Sequence, residues 1–366
     1  MKTENTPLIL TQHELEKWPA QAGLPAKVAL DLEANSLHVY PEQLCLIQLS
    51  TSNRCAVIDP LLPLDLSPLL SALQPCTLVL HGADYDLRLL FRHLNFSPET
   101  VFDTMTAARL CGFSTFGLAD LAWQLLGVRI DKSMQRIDWA RRPLSPKMLF
   151  YAVEDTRHLL DMAEILESRL NDLGRGEWHR ECCHQLVVKC RQPEEVDADT
   201  CWRVRGSGRL SPPQLALLRE FWHWREKIAL ERRRPPYFVL SHESLIQMAC
   251  SAGNFPSKGH IPPLSIPAGM PNSMHQGLME AFHRVRMLPA EQWPKVRKST
   301  PPAKDKAVES RLEKLEDIRN RQALRLGIDP SLIANQATLV RLARDWEGNL
   351  SLLLQWQHEL LTDDAT

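Results

Sequence analysis

Residues 28–36 read VALDLEANS, an apolar run that closes on Asp31 and Glu33. In a strand, residues two apart project from one face, so these carboxylates would stand side by side. Their repulsion is costly unless something positive lies between them. Further acidic positions fall near expected element boundaries. HGADYDLRLL sets Asp84 and Asp86 just beyond a strand, and VFDTM sets Asp103 after another. FYAVEDTRHL spaces Tyr151 and Asp155 four apart, hence on one helical face. Hard oxygen donors gathered in this way suit Mg²⁺ or Mn²⁺ better than zinc. Taken alone, Asp31 and Glu33 also read as a solvated strand end, and Tyr151 as a half-buried helix aromatic.

The elements that must position these groups alternate over the first 175 residues. KVALDLE, EQLCLIQLS and RCAVIDP read as three successive strands, with TSN as a turn between the last two. LSPLLSAL reads as a helix and CTLVLHG as a fourth strand. DYDLRLLFRHL places Leu87, Leu90, Phe91 and Leu94 on one helical face. VFDTMTAARLCG is a short strand entering a helix, GLADLAWQLLG is another helix, and residues 145–170 form one long helix with Ser145 as N-cap and Pro146 at its first position. Three strands followed by αβ units predict a mixed sheet covered by helices, an α/β domain.

Strand signals nearly vanish after Leu210. Amphipathic helices begin at SPPQLALLREFWHW and SHESLIQM, and QGLMEAFHRVRML follows a Pro/Gly/Ser stretch at 252–272. A Pro/Lys-rich break at 289–306 precedes SRLEKLEDIRNRQALRLGID, and SLLLQWQHELL closes the chain. Two small all-α modules result, a weak repeat at roughly 90 residues. The expected division is a catalytic domain over 1–175, a strap over 176–208, helical domains over 209–290 and 307–366, and a linker over 291–306. The chain has 366 residues and a formal net charge of -1, so any nucleic-acid partner must be held by local patches. Its N-terminus lacks the apolar core of a signal peptide, and no apolar run approaches a membrane span. Nine scattered cysteines read as reduced thiols of a cytoplasmic protein.

The order D-x-E, a lone D, then Y-x-x-x-D resembles the three motifs of the DEDD exonuclease superfamily in its tyrosine-bearing subclass. YPEQLCLIQLS, AVIDPL, LHGADYDL, FDTMTAARLCG, LDLSPLLSAL and DKSMQRIDWARRPLSPKMLFYAVEDTRHLL are similar to the ribonuclease D family, and the helical modules resemble its tandem HRDC domains. EDIRNRQALRLGIDPSLIANQATLVRLAR is especially similar to the second. The resemblance implies a ribonuclease H-like exonuclease domain in which Asp31, Glu33, Asp86 and Asp155 hold two divalent ions, Mg²⁺ or Mn²⁺, and Tyr151 orients the attacking water. It implies a 3′→5′ exoribonuclease that releases nucleoside 5′-monophosphates and trims tRNA precursors with 3′ extensions, without a membrane or an organic cofactor. Aligning His81, Gly82 and Leu87 to the family pattern selects Asp86 as the ligand and leaves Asp84 to cap a helix; Asp103 is likewise expected to cap. Leu32 stands where a small polar residue is commoner and should point into the core.

Other residues admit two readings. Cys182, Cys183, His184 and Cys190 lack the C-x₂-C spacing of common zinc sites and read as packed thiols. His81 is a phosphate contact or a plain strand-end histidine. Lys132, Arg136, Arg141 and Arg142 are either plain solvated loop residues or, in a loop that the resemblance places near the active-site mouth, contacts to the substrate backbone. ERRRPP at 231–236 ends a helix, where cations suit the dipole, and could also grip RNA phosphates; Trp222, Trp224, Tyr237 and Phe238 are expected in the module's core. A DNA exonuclease using the same ions and a non-catalytic RNA-binding scaffold are the competing functions.

Overall fold

The structure is a computed structural model that describes residues 8–24, 26–131, 133–134, 136–193, 197–252, 270–296 and 305–362. The chain divides into two compact units, one of residues 1–34, 44–193 and 302–366 and the other of residues 35–43 and 194–301. Among the described residues no helix is long and apolar enough to cross a membrane, and all nine cysteines are free thiols.

The first unit is built on a six-stranded sheet of β1 (Leu8–Ile9), β2 (Lys27–Ala34), β3 (Leu44–Ser50), β4 (Cys55–Ile58), β5 (Thr77–Leu80) and β6 (Thr100–Asp103), in the order β1-β4-β3-β2-β5-β6. β2, β3 and β4 pair antiparallel, whereas β5 and β6 run parallel to β2. The apolar residues of β3 explain its central place, since all seven of its residues are buried. A sheet buried on both faces needs helices on both. The chain supplies α1 (Gln12–Ala22), α2 (Ser67–Leu73), α3 (Asp84–Leu94), α4 (Thr104–Leu110), α5 (Leu118–Leu126), α6 (Pro146–Arg157), α7 (Leu159–Asp172) and α8 (Gly176–Cys190). One apolar core joins the sheet to α1, α2, α3 and α8, and another joins it to α4, α5 and α7.

Local chemistry departs from three expectations. The helix expected over 145–170 is interrupted at His158, which lies at φ -103° and ψ -2° and separates α6 from α7. The strap expected over 176–208 is helical as far as Cys190, because His179, Cys183, Val187 and Cys190 recur at helical spacing and are buried. Asp84 opens α3 without capping it; its carboxylate pairs with Arg88 one turn on, at 2.8 Å.

The second unit contains α9 (Pro212–Glu231), α10 (Pro236–Val239), α11 (His242–Ala252) and α12 (Asn272–Arg286). Ser211 and Gln214 form a capping box at the start of α9, with Pro212 in the first turn. Its core gathers Trp202, Phe221, Trp224, Leu245 and Phe282, with Trp222 packed against it. Tyr237 and Phe238 correct the expectation that they join this core: they are 68% and 53% exposed. The one-turn helix α10 buries neither ring.

The last helices, α13 (Lys306–Leu326), α14 (Pro330–Ile333), α15 (Gln336–Arg344), α16 (Trp346–Asn349) and α17 (Gln355–Thr362), belong to the first unit. Leu315, Ala323, Leu339 and Leu360 share one apolar core with Leu110 of α4 and Leu166 of α7. Trp178 and Trp356 stack at 4.7 Å. Buried Arg175 donates to the carbonyls of Leu110 (2.5 Å) and Leu326 (2.6 Å). Gly112, at φ +84°, is required there, since a Cβ would lie 2.5 Å from the Gly327 carbonyl oxygen. The segment expected as a separate domain is thus continuous with the sheet's own core.

Candidate active site

Alternation along β2 buries Leu32 and turns Asp31 and Glu33 to the other face. The register sets Asp31 opposite Gln48 and Glu33 opposite Leu46 on β3, with an irregularity after Glu33. Helix α6 is fastened to β3 by a buried hydroxyl contact between Ser50 and Thr156 at 2.6 Å. Asp155, the neighbour of Thr156, thereby reaches the strand pair. Carboxylate oxygens of Asp31, Glu33 and Asp155 all lie within 4.8 Å of one another. Asp86 arrives in the first turn of α3, 7% exposed, with its carboxylate near the Leu32 amide between the two strand acids. It lies outside the 4.8 Å group, although its charge acts on Glu33.

The electrostatics follow from burying like charges together. Burial pushes the Asp31 carboxyl up to about 7. Burial, then the charges of Asp31, Asp155 and Asp86, pushes Glu33 up to about 10. Burial and the Asp31 charge bring Asp155 to about 8, and burial holds Asp86 well above the carboxylate range. A divalent cation reverses this logic, because its charge favours the ionised forms. An all-oxygen set of mutually repelling carboxylates fits a hard cation.

Tyr151, 5% exposed, stands beside the Asp155 carboxylate one turn along α6. Its ring packs near Trp139, with centroids 6.0 Å apart. Burial, then the neighbouring acids, raises the phenol far above its ordinary value, so it stays protonated.

Asp103 is spent as a cap, as expected. It accepts from the amides of Met105 and Thr106, the Thr106 hydroxyl (2.6 Å) and the Gly82 amide (2.6 Å). His81 takes the plainer of its two readings. The Thr104 hydroxyl gives its proton to the Leu80 carbonyl at 3.0 Å, so His81 Nδ1–H must donate to Thr104 at 2.9 Å. Burial lowers the His81 pKa, and its Nε2 is enclosed without a partner. A neutral ring with an enclosed lone pair offers a phosphate no donor.

Arg142 departs from its expected use at the substrate backbone. Its guanidinium grips Asp59, 3% exposed, at 2.5 and 2.7 Å, and donates to the carbonyls of Cys45, Trp139 and Arg141. These contacts occupy all five N–H groups. Arg136 and Arg141 are exposed on the same loop, and Lys132 lies outside the described residues. Burial pushes the Cys182 thiol up to about 11 and Cys183 higher still, so both remain neutral packed thiols. Gln48 was not anticipated. It is fully buried opposite Asp31, and neither end of its amide has a partner among the described residues. A lone amide inside LCLIQLS was its signal in the sequence.

A mixed sheet that carries this carboxylate set between its central strand and a covering helix belongs to the 3′–5′ exonucleases, and the model of that family matches residues 7–171. An HRDC domain model matches residues 214–252. The ribonuclease D of Desulfotalea psychrophila is 30% identical over 374 residues, covering 99% of this chain and 98% of that protein. The chain therefore belongs to the ribonuclease D family and is a 3′–5′ exoribonuclease, a phosphodiester hydrolase. The ribonuclease D of Haemophilus influenzae is 29% identical, covering 90% of this chain and 84% of its own. The solved structure of Escherichia coli RNase D, titled an exoribonuclease involved in structured RNA processing, superposes with a TM-score of 0.74 at 25% identity, covering 99% of this chain and all of that one.

Proposed function

We propose that the chain is a metal-dependent exoribonuclease that removes nucleoside 5′-monophosphates one at a time from the 3′ ends of structured RNAs, tRNA precursors among them, in the cytoplasm. The observation that carries this reading is the meeting of Asp31 and Glu33 with Asp155, 122 residues beyond Glu33, within 4.8 Å. With Asp86 they would hold two divalent ions, Mg²⁺ or Mn²⁺. Such ions, when bound, lower the pKa of water and neutralise charge on the phosphate and the leaving 3′ oxygen.

The chain's own residues supply position. Asp31 and Glu33 hold one side of the site on a rigid strand, and Asp155 holds the other from α6. Tyr151 stays protonated, so it orients the attacking water by hydrogen bonding and takes no proton. Arg136 and Arg141 are left as candidates to meet the RNA backbone. Residues 209–290 are read as the first HRDC domain, which the match over 214–252 supports, and residues 307–366 as a second HRDC-like module. The association of the E. coli relative with structured RNA supports the substrate class.

The test is a digest of 5′-labelled tRNA carrying a 3′ extension, with Mg²⁺, Mn²⁺ or chelator, beside a matched DNA overhang. Stepwise shortening of the RNA that stops with chelator is expected. Shortening that proceeds equally in chelator, or with Asp155→Ala, overturns the reading; faster loss of the DNA moves the substrate class.

A further inference from the structure

Strand β3 is buried along its whole length, and its sequence LCLIQLS carries a single amide side chain, Gln48. Alternation puts Leu46, Gln48 and Ser50 on one face. Helix α6 covers that face: Leu46 shares a core with Tyr151 and Ala152, and Ser50 meets Thr156 at 2.6 Å. Gln48 thus lies beneath the stretch of α6 that carries Tyr151 and Asp155.

Its two strand neighbours differ. Val57 of β4 stands opposite on one side and Asp31 of β2 on the other. Directly opposed residues of an antiparallel pair share a face, with Cβ atoms about 4.5–5.5 Å apart. Val57 offers no polar group. The Ser50 and Thr156 hydroxyls are committed to each other, to the Cys55 sulfur and to the Val153 carbonyl. Gln48 is 0% exposed, and both Oε1 and Nε2 are enclosed without a partner among the described residues.

An amide buried in this way forfeits its hydration at both ends, whereas leucine or methionine would fill the same space without that cost. Such a group calls for a partner that the empty site lacks. The neighbour whose state changes when the site is loaded is the Asp31 carboxylate.

We propose that Gln48 is a positioning residue for Asp31: its Nε2 donates to that carboxylate when a divalent cation is bound and keeps it in one orientation toward the ion. The inference rests on the metal-dependent reading and adds to it a residue that touches neither ion nor RNA. Carboxylate ligands are commonly fixed by such outer hydrogen bonds, whose loss weakens metal binding or activity about 10–100-fold.

The test is Gln48→Met, which keeps the length of the side chain and deletes the amide, with Gln48→Leu as a second replacement. In chelator both should melt no lower than wild type, because an unpaired polar group has been removed. Mn²⁺ affinity of the full chain, measured by calorimetry, should nevertheless fall about 10–100-fold. With RNA, kcat should fall while KM stays within about twofold of wild type. Mn²⁺ affinity within twofold of wild type in both variants overturns the proposal. Lower melting with affinity retained overturns it too, and assigns the amide to a buried structural water. Wild-type binding is scored separately. A wild type that takes up no Mn²⁺ removes the metal-dependent reading; a wild type that binds, with variants that bind equally, removes the role of Gln48 alone.

Discussion

The Tyr151 phenol stands beside the Asp155 carboxylate, which lies one turn further along α6. The helix turn sets the hydroxyl at the edge of the carboxylate cluster, while the ring is held by packing near Trp139. Tyr151→Phe keeps the packing and deletes the hydroxyl. Single-turnover cleavage should slow by about 10²–10³-fold, with Mn²⁺ affinity by calorimetry retained. A rate within threefold of wild type would dismiss the hydroxyl's role.

Glu33 bears the greatest electrostatic burden, pushed up to about 10 by burial and by three acidic neighbours. Glu33→Gln removes that repulsion at constant shape. Without metal the variant should melt a few degrees above wild type. Mn²⁺ should raise the wild-type melting temperature and the variant's far less, as linkage to a lost ligand requires. Equal metal-induced shifts would place the ion elsewhere.

Arg142 and Asp59 form a bidentate pair of which the carboxylate is almost fully enclosed. Arg142→Ala leaves that carboxylate and three backbone carbonyls without partners. A loss of about 3–5 kcal/mol in chemical denaturation is expected, with little change in KM for RNA in the fraction that remains folded. A stable variant with raised KM would return Arg142 to the substrate.

His179 is buried between Phe102 and Cys183, with Nε2 3.1 Å from the Asp103 carbonyl oxygen. Burial lowers its pKa below the ordinary 6.5, only partly opposed by that carbonyl. The folded state thus favours the neutral ring. Its contribution to stability is complete above about pH 6.5 and is lost as pH falls toward the depressed folded value. The raised carboxyls of Asp31 and Asp155 pull the other way, since they gain stability as they take up protons. The readout is therefore a difference: between pH 7.5 and 5 the wild type should lose melting temperature relative to His179→Gln. A constant gap between the two curves would assign the effect to other groups.

The periodicities that placed the acids were local, and they were legible. Alternation in VALDLEA put Asp31 and Glu33 on one face, and the i, i+4 spacing joined Tyr151 to Asp155. The capping role of Asp103 could also be read from its place before TMTAARL. What escaped depended on distant partners. Nothing near Arg142 announces Asp59, 83 residues earlier, as its counter-ion. The break at His158 interrupts a segment whose composition is helical throughout. The exposure of Tyr237 and Phe238 escapes the sequence because aromatic residues in a small helical domain usually fill its core, whereas a one-turn helix opened by Pro235 and Pro236 turns these outward. Gln48 became interesting only once the register set it across from Asp31.

The fit of Gly112 against Gly327, with Arg175 reaching to both sides of that seam, bears on how this enzyme can be shortened. A truncation that stopped near residue 300 would look reasonable from the order of modules along the chain. It would strip the cover from α4 and α7, bare a broad greasy flank and leave one hydrogen bond of Arg175 unmade. The smallest soluble nuclease obtainable from this chain would then need its final sixty residues, or a redesigned surface in their place.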